Sequence, residues 1–287
     1  MKLLRFGPAG QERPGILDEG GRIRDASLIV PDFDAPAIAE ALQLLRGVSP
    51  TSLPIVAGDE RIGPPLRGVG KIVCVGLNYV DHARETGQAS PTEPILFLKA
   101  TSSIVGPNDD IVLPPGAQKC DWEVELGVVI GQKARYVDKA DALKHVAGYC
   151  VVNDVSEREY QLERGGGQWD KGKGCDTFGP VGPWLVTAEE IKDPQDLAMW
   201  LDVNGQRRQN GTTATMIFGV AELVAYCSRF MTLWPGDLIS TGTPPGVGMG
   251  MKPPTFLNAG DEVRLGIAGL GEQRQKIHAW DPKLIDD

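Results

Sequence analysis

The 287-residue sequence predicts an α+β fold in which β-strands dominate. The first observation is a series of short apolar runs, rich in β-branched residues, that are separated by Gly, Pro, Asn and Asp. The second is an abundance of turn-forming residues, with 36 glycines and 22 prolines. The third is that few segments carry apolar residues at helical spacing. Together they predict a β-rich body with a small number of helices.

The first 68 residues are predicted to form a small N-terminal α/β domain and a linker. Residues 1–25 have the pattern of two strands and a turn at Gly20 and Gly21. Residues 37–45 carry apolar side chains at helical spacing, and Pro36 suits the first turn of that helix. Residues 47–68 contain four prolines and several glycines, a composition typical of a connector. We therefore place a domain boundary near residue 68, with residues 69–287 as the larger domain.

The larger domain is predicted to contain at least seven strands and two helices. The helices are expected around residues 156–164 and 217–230, and Ser156 with Glu159 matches the S-x-x-E capping box that would begin the first of them. The strands are expected at 71–76, 95–98, 123–130, 146–153, 199–203, 237–240 and 261–267.

The composition excludes several classes of partner. A formal charge of −9 and a pI near 5.0 argue against nucleic acid and against anionic membranes, which both favour a basic surface. No stretch of eighteen apolar residues exists, and the N-terminus lacks the pattern of a signal peptide. Five widely spaced cysteines without a C-x-x-C pair indicate neither a disulfide framework nor a zinc site. We expect a cytoplasmic protein whose partner is a small molecule.

Three carboxylates predict a metal site. Glu123 and Glu125 lie two residues apart in a run that has the pattern of a buried strand, so both side chains share one face. Asp154 follows another apolar run, at 146–153. Buried carboxylates need compensation, and oxygen-only ligands favour Mg²⁺, Mn²⁺ or Ca²⁺ over zinc or copper. Three protein ligands would leave positions open for substrate, which indicates catalysis. The alternative is a solvated strand face with Asp154 merely preceding a helix.

His82 is the candidate general base among three histidines. It follows a predicted strand and turn, and Glu85 at i+3 would lie on the same helical face. A carboxylate in that position can orient an imidazole that takes a proton from water. The alternative is an ordinary ion pair on a surface helix.

Several segments between residues 70 and 280 form a recognisable series. They are Gly76-Leu77-Asn78-Tyr79 with His82 and Glu85, Phe97-Leu98-Lys99, Glu123-x-Glu125, Asp154 with Gln161, Lys173-x-x-Asp176-Thr177-Phe178-Gly179-Pro180, and Thr241-Gly242-Thr243-Pro244. These segments, in this order, resemble the fumarylacetoacetate hydrolase family. The resemblance is to the shorter branch, which contains acylpyruvases, oxaloacetate decarboxylases and 2-hydroxyhepta-2,4-dienedioate isomerases.

The resemblance implies a fumarylacetoacetase-like mixed β-roll with a small N-terminal domain, a catalytic domain at residues 69–287, and a homodimer. It also implies a role for each group of site residues. Glu123, Glu125 and Asp154 would bind Mg²⁺ or Mn²⁺, His82 and Glu85 would form a catalytic dyad on a mobile lid, and Lys173 would bind substrate, with supporting contacts from Lys99, Gln161 and Thr241.

The expected reaction is hydrolysis of a carbon–carbon bond in a 2,4-diketo acid, with release of pyruvate. Within the family, residues 163–176 look most like proteins that split 2,4-diketo-3-deoxy sugar acids of the L-fuconate or L-rhamnonate type. Gln161, Arg164, Gln168 and Asp170 would offer hydrogen bonds to the hydroxyl groups of such a tail. Two other reactions stay open, namely oxaloacetate decarboxylation and 2-hydroxyhepta-2,4-dienedioate isomerisation. A calcium-stabilised binding protein is the non-enzymatic alternative, and it predicts no role for His82.

Overall fold

The computed structural model describes residues 1–85, 87, 89–281 and 283. Its strands are β1 (Lys2–Phe6), β2 (Arg13–Leu17), β3 (Ile23–Asp25), β4 (Ile62–Gly63), β5 (Ile72–Gly76), β6 (Ile95–Lys99), β7 (Ile104–Val105), β8 (Ile111–Val112), β9 (Cys120–Asp121), β10 (Val124–Ile130), β11 (Val146–Asn153), β12 (Ser156–Glu157), β13 (Gly179–Thr187), β14 (Ala198–Val203), β15 (Gln206–Thr212), β16 (Leu238–Ser240), β17 (Glu262–Ile267) and β18 (Gly271–His278).

Helices are short and few within these residues. The α-helices are α1 (Ile38–Leu45), α2 (Val80–Glu85), α3 (Asp170–Lys173) and α4 (Val220–Phe230), with a π-helical turn at Glu159–Glu163. Short 3-10 helices lie at Ala35–Ala37, Pro50–Ser52, Thr101–Ser103, Ala142–His145, Ala188–Glu190, Thr213–Thr215 and Gly248–Gly250. Helix α1 buries Ile38, Ala41 and Leu45, the spacing of one apolar helix face. No helix among the described residues combines the length and the apolar character that a membrane span requires.

Two sheets form the body of the molecule. The larger runs in the order β3-β2-β1-β13-β11-β10-β16-β5-β6, with β4 beside β1 and β7 beside β13. The smaller runs in the order β15-β14-β17-β18-β8, and β9 pairs with β12 in a separate ribbon. One apolar core includes Val124, Leu126 and Val128 of β10, whereas Val129 belongs to a second core that includes α1. Strand alternation thus gives β10 one apolar face in each core. The predicted α+β, β-rich class is confirmed.

The N-terminal strands join the larger sheet directly. Strand β1 pairs antiparallel with β13, placing Lys2 opposite Val186 and Leu3 opposite Leu185. Leu3 shares its core with Ile72 of β5, on the other side of the predicted boundary. The sheet and its core continue across residue 68, and the division into two domains near that residue stays a prediction.

The predicted elements are largely present, with one correction. All seven predicted strands occur, α1 matches the helical pattern at residues 37–45, and α4 matches the helix expected at 217–230. The capping box at Ser156 and Glu159 was wrong. Ser156 lies in strand β12 and its hydroxyl donates to the Asp154 carbonyl, and the helical turn begins only at Glu159. The chain is extended at Ser156 because β12 pairs there with β9. The Glu157 carboxylate also accepts a hydrogen bond from the Lys119 amide, directly before β9.

Candidate metal centre and catalytic cavity

The three predicted metal ligands converge in the structure. Glu125 lies in β10, Glu123 directly precedes that strand, and Asp154 follows β11. Strands β10 and β11 are antiparallel neighbours, and the Asp154 amide donates to the Glu123 carbonyl at 2.9 Å. One carboxylate oxygen from each residue lies within 4.8 Å of the others, and all three residues are buried. The pairing of two strands therefore creates the carboxylate cluster.

Two buried lysines neutralise part of this cluster. The Lys173 ammonium donates to Glu123 Oε2 at 2.8 Å and to Asp154 Oδ2 at 2.9 Å. The Lys99 ammonium donates to Asp154 Oδ1 at 2.7 Å and to the carbonyls of Val155 and Lys173. Both lysines are almost fully buried, so these pairs are well shielded from solvent. Lys99 lies behind Asp154 and holds it in place, and its role as a substrate contact stays a prediction.

Arg158 is a third buried cation, which the sequence reasoning missed. Its guanidinium donates to Glu123 Oε1 at 2.6 Å, to Asp121 Oδ2 at 2.9 Å and to Gln161 Oε1 at 3.0 Å. Arg158 directly precedes the π-helical turn that carries Gln161, and such turns occur often at functional sites. The spacing of Arg158 four residues after Asp154 and three before Gln161 was the available signal.

The balance of charge in the cluster favours a further cation. Three cations, Lys99, Arg158 and Lys173, face four carboxyl groups, Asp121, Glu123, Glu125 and Asp154, which leaves one formal negative charge in excess.

Opposite pKa shifts show how this charge is distributed. Burial alone would raise the pKa of Glu123, but the neighbouring Lys173 and Arg158 outweigh it and hold the pKa well below its usual range. At Glu125 the opposing effect of Lys173 is the weaker one. Burial, together with the nearby Asp154 and Glu123, raises its pKa well above the usual value. Glu125 is therefore the carboxyl group that most needs a compensating charge.

The donor set fits a hard divalent cation. Three carboxylate oxygens from Glu123, Glu125 and Asp154 face one point, and oxygen ligands of this kind suit Mg²⁺ or Mn²⁺. Glu125 also accepts hydrogen bonds from the Ser240 hydroxyl at 2.6 Å and the Gly242 amide at 2.9 Å, which fixes its orientation. These three residues are therefore the candidate ligands.

His82 and Glu85 lie together on helix α2. His82 is 6% exposed, and its Nδ1 is 3.4 Å from Glu85 Oε2, at the outer limit of a hydrogen bond. Catalytic hydrogen bonds are often long before substrate binds. The structure thus brings the two predicted dyad residues into contact, and their catalytic roles stay predictions.

One small cavity, with a volume of about 50 Å³, collects these groups. Its wall includes His82, Glu123, Glu125, Arg158 and Lys173. The rest of the wall is mainly apolar and includes Leu77, Phe97, Leu162, Trp169 and Met249. The cavity can therefore hold a small anionic group beside the carboxylates and in contact with apolar side chains.

The remaining residues predicted to contact substrate differ in their position relative to the cavity. Gln161 is buried and lines the cavity. Thr241 is also buried, but its hydroxyl donates to the Leu126 carbonyl and thereby braces β10. Arg164 and Gln168 are exposed and are not among the residues lining the cavity. Asp170 accepts a hydrogen bond from the Leu98 amide. Of these residues, Gln161 has the position expected of a substrate contact.

Removing the Lys173 ammonium is expected to destabilise the metal-free protein. In Lys173→Met, Glu123 and Asp154 lose a shared buried partner, which typically costs about 3–5 kcal/mol. Mn²⁺ should stabilise this variant more than the wild type, because it restores the missing positive charge. Urea unfolding in chelator and in Mn²⁺ measures both effects. Lys171→Met is the matched control, since Lys171 is exposed and donates to a carbonyl. Equal stability of the two variants would contradict this account.

The fold and the cavity define a β-rich protein with an acidic candidate metal centre, and comparisons with known proteins agree. The sequence profile of the fumarylacetoacetate (FAA) hydrolase C-terminal family matches residues 71–278. The chain belongs to the fumarylacetoacetate hydrolase family, whose members are hydrolases and isomerases.

Three relatives illustrate the range of that family. A protein of Burkholderia orbicola (strain MC0-3) that is named as a hydrolase is 64% identical over 278 residues, which cover 96% of this chain and 98% of that protein. A probable 2-hydroxyhepta-2,4-diene-1,7-dioate isomerase from Mycobacterium abscessus is 32% identical with a TM-score of 0.85, covering 98% of this chain and 100% of that one. Maleylpyruvate hydrolase from Sphingobium sp. SYK-6, solved with manganese(II) and pyruvate, is 30% identical with a TM-score of 0.81 and the same coverage.

Proposed function

We propose that this protein is a divalent-metal-dependent hydrolase that cleaves a carbon–carbon bond of a 2,4-diketo acid and releases pyruvate. The observation that carries the proposal is one cavity lined by Glu123, Glu125, two buried cations and His82. Asp154 completes the carboxylate cluster with Glu123 and Glu125, and Glu85 is paired with His82. A similar structure, maleylpyruvate hydrolase, contains manganese(II) and pyruvate, which supports the metal and the product.

The charges of the cavity select an anionic head group. With a divalent cation held by Glu123, Glu125 and Asp154, the cluster changes from one formal negative charge in excess to one positive charge in excess. Arg158 and Lys173 line the same cavity, so a carboxylate is favoured there. When bound, Mg²⁺ or Mn²⁺ supplies electrophilic stabilisation of the negative charge that develops on a 2-oxo oxygen.

The residues of the chain would perform the proton transfers. His82 takes a proton from the water that attacks the C4 carbonyl, and Glu85 orients the imidazole. The bond between C3 and C4 then breaks, C4 leaves as a carboxylic acid, and C3 receives a proton to give pyruvate. The apolar part of the cavity wall, which includes the ring contact of Phe97 with Trp169, limits access of other water molecules.

We further propose a 2,4-diketo-3-deoxy sugar acid of the L-fuconate or L-rhamnonate type as the substrate, cleaved to pyruvate and lactate. Its support is the resemblance of residues 163–176 and the polar Gln161 within the cavity. Arg164 and Gln168 are exposed, so Gln161 and Arg158 are the better candidates for contacts with a hydroxylated tail.

Isomerisation is the second candidate reaction, and the similarity to the Mycobacterium abscessus isomerase favours it. It needs proton transfer but no attack by water and no bond cleavage. Oxaloacetate decarboxylation would use the same head-group site and release carbon dioxide. Product analysis separates the three reactions.

Kinetics with a panel of substrates tests which acyl group the site prefers. We expect kcat/KM to be higher for hydroxylated 2,4-diketo-3-deoxy acids than for acetylpyruvate or oxaloacetate, measured by coupled pyruvate release. Gln161→Ala should narrow this preference by about 2- to 10-fold, the value of one neutral hydrogen bond. Gln161→Ala also removes a hydrogen bond of Arg158, which affects all substrates alike. Comparing the kcat/KM values of two substrates for the same variant cancels that common effect. Oxaloacetate as the best substrate, with carbon dioxide as the main product, would instead identify a decarboxylase.

A further inference from the structure

The carboxylate of Glu85 has a second partner besides His82. The amide of Gly246 donates to Glu85 Oε1 at 3.0 Å and to Oε2 at 3.1 Å. Helix α2 is thereby attached to the segment of residues 246–250, which we call the 246–250 loop. This loop also contributes Met249 to the cavity wall. The contact therefore joins the helix that carries His82 to another segment of the cavity wall.

The 246–250 loop is fixed by hydrogen bonds to Asp121 and Trp122. The Asp121 carboxylate accepts hydrogen bonds from the Gly248 amide at 2.6 Å and the Met249 amide at 3.0 Å. The Trp122 indole donates to the Gly246 carbonyl at 3.0 Å. Both Asp121 and Trp122 are fully buried, next to the candidate ligand Glu123. The loop thus has a fixed position relative to the carboxylate cluster.

Gly246 allows the close approach that this arrangement requires. Its φ is +105°, a region that favours glycine, and a Cβ there would lie 2.0 Å from the Arg208 carbonyl oxygen. The Gly246 amide can therefore point at Glu85 only because the residue has no side chain.

Gly250 leaves the space that the Glu85 side chain occupies. A Cβ at Gly250 would lie 2.6 Å from Cδ, 2.8 Å from Cγ and 2.9 Å from Oε2 of Glu85. All three contacts are with the end of a flexible side chain, and Gly250 has no positive φ. Alanine at position 250 would therefore displace the Glu85 carboxylate while leaving the loop backbone undisturbed.

We propose that Gly250 and the Gly246 amide form a docking site for Glu85, and that this site positions helix α2 and hence His82 over the carboxylate cluster. Gly250 is then a positioning residue that acts through Glu85. The docking itself depends only on the geometry, whereas its effect on turnover rests on the proposed function.

Hydrogen exchange and turnover together test the docking site. Gly250→Ala is measured in the wild-type and Glu85→Ala backgrounds, by exchange of the amides of α2 and by kcat, KM and Mn²⁺ affinity. We expect Gly250→Ala to speed α2 exchange about 10-fold, because a hydrogen bond to a charged group is lost. It should lower kcat and leave Mn²⁺ affinity unchanged. In the Glu85→Ala background the same substitution should change neither exchange nor kcat.

Gly219→Ala is the matched control, because its Cβ would also meet a flexible side chain, Gln195, at 3.2 Å, with a φ of −73°. It should leave α2 exchange unchanged. Unchanged α2 exchange in Gly250→Ala, or an equal effect with and without Glu85, would overturn the proposal. If the wild type released no pyruvate, the proposed function would fail, while the exchange data would still decide the docking.

Discussion

Replacing His82 with alanine is expected to lower turnover about 10²- to 10⁴-fold, the typical contribution of a positioned general base. Mn²⁺ affinity and the free energy of unfolding should change little, because His82 lines the cavity without belonging to the carboxylate cluster. Steady-state kinetics and a Mn²⁺ binding isotherm on the same preparation measure both quantities.

His145→Ala is the control for this prediction, since His145 lies on the surface and its Nδ1 is 3.3 Å from the Gln132 carbonyl. Its turnover should equal that of the wild type. An equal loss of Mn²⁺ affinity and turnover in His82→Ala would make the histidine a ligand. A fully active His82→Ala would contradict the proposed general base and favour a reaction in which His82 has no role.

Glu125→Gln is expected to have opposite effects on metal affinity and on stability. The substitution removes the charge of one ligand, so Mn²⁺ affinity and metal-dependent activity should fall by at least about 100-fold. Loss of a residue that only hydrogen-bonds a metal ligand typically costs about 10- to 100-fold, and loss of a ligand's charge should cost no less. The metal-free variant should nevertheless be as stable as the wild type or more stable. Glutamine can still accept from Ser240 and Gly242, and it removes a buried charge from beside Asp154 and Glu123.

The pH dependence of the metal-free protein follows from the same carboxyl group. The pKa of Glu125 is raised on folding, so the folded state holds this proton more tightly than the unfolded state. Its contribution to stability is therefore present below the usual value of 4.5 and is lost as the pH rises toward the raised pKa. Glutamine does not titrate, so Glu125→Gln should lose less stability than the wild type as the pH rises from about 5 to about 8.

Thermal unfolding in chelator against pH, together with Mn²⁺ binding, measures both effects of Glu125→Gln. Glu222→Gln is the control, because Glu222 is a surface residue paired with Lys139. A Glu125→Gln protein that keeps wild-type Mn²⁺ affinity would remove Glu125 from the ligand set.

Much of the fold could be predicted because buried strands carry continuous apolar runs. Strands β10 and β11 are buried along their whole length, and each is visible in the sequence as such a run. Strands β13, β15 and β18 were missed for different reasons. β13 contains Pro180 and Pro183, β15 is almost entirely polar, and β18 buries Gln273 and Gln275. Pairing with neighbouring strands, which local sequence does not show, stabilises all three.

The helix near residue 160 shows the limit of local motifs. Ser156 and Glu159 have the spacing of a capping box, yet pairing of β12 with β9 keeps the chain extended. Tertiary pairing therefore overrides a local helix signal.

The candidate site could be predicted where chemistry and spacing agree. Glu123, Glu125 and Asp154 converge because the ends of two neighbouring strands meet, and His82 and Glu85 share one helical turn. Spacing was a signal for Arg158, but its contact with Asp121 joins segments far apart in the chain and could not be predicted. The same holds for the contact of Lys99 with Asp154. Nothing in the local sequence distinguishes Arg164, which is exposed, from a residue that faces the cavity.

The measurement that tests the central claim most directly is a Mn²⁺ titration of metal-stripped wild-type protein. Pyruvate release from a 2,4-diketo acid and Mn²⁺ binding are followed on the same samples. The account predicts no pyruvate release without metal, and a rate that rises in proportion to occupancy of one site formed by Glu123, Glu125 and Asp154. Full pyruvate release from the metal-free protein, or metal-dependent consumption of the diketo acid without pyruvate, would contradict it.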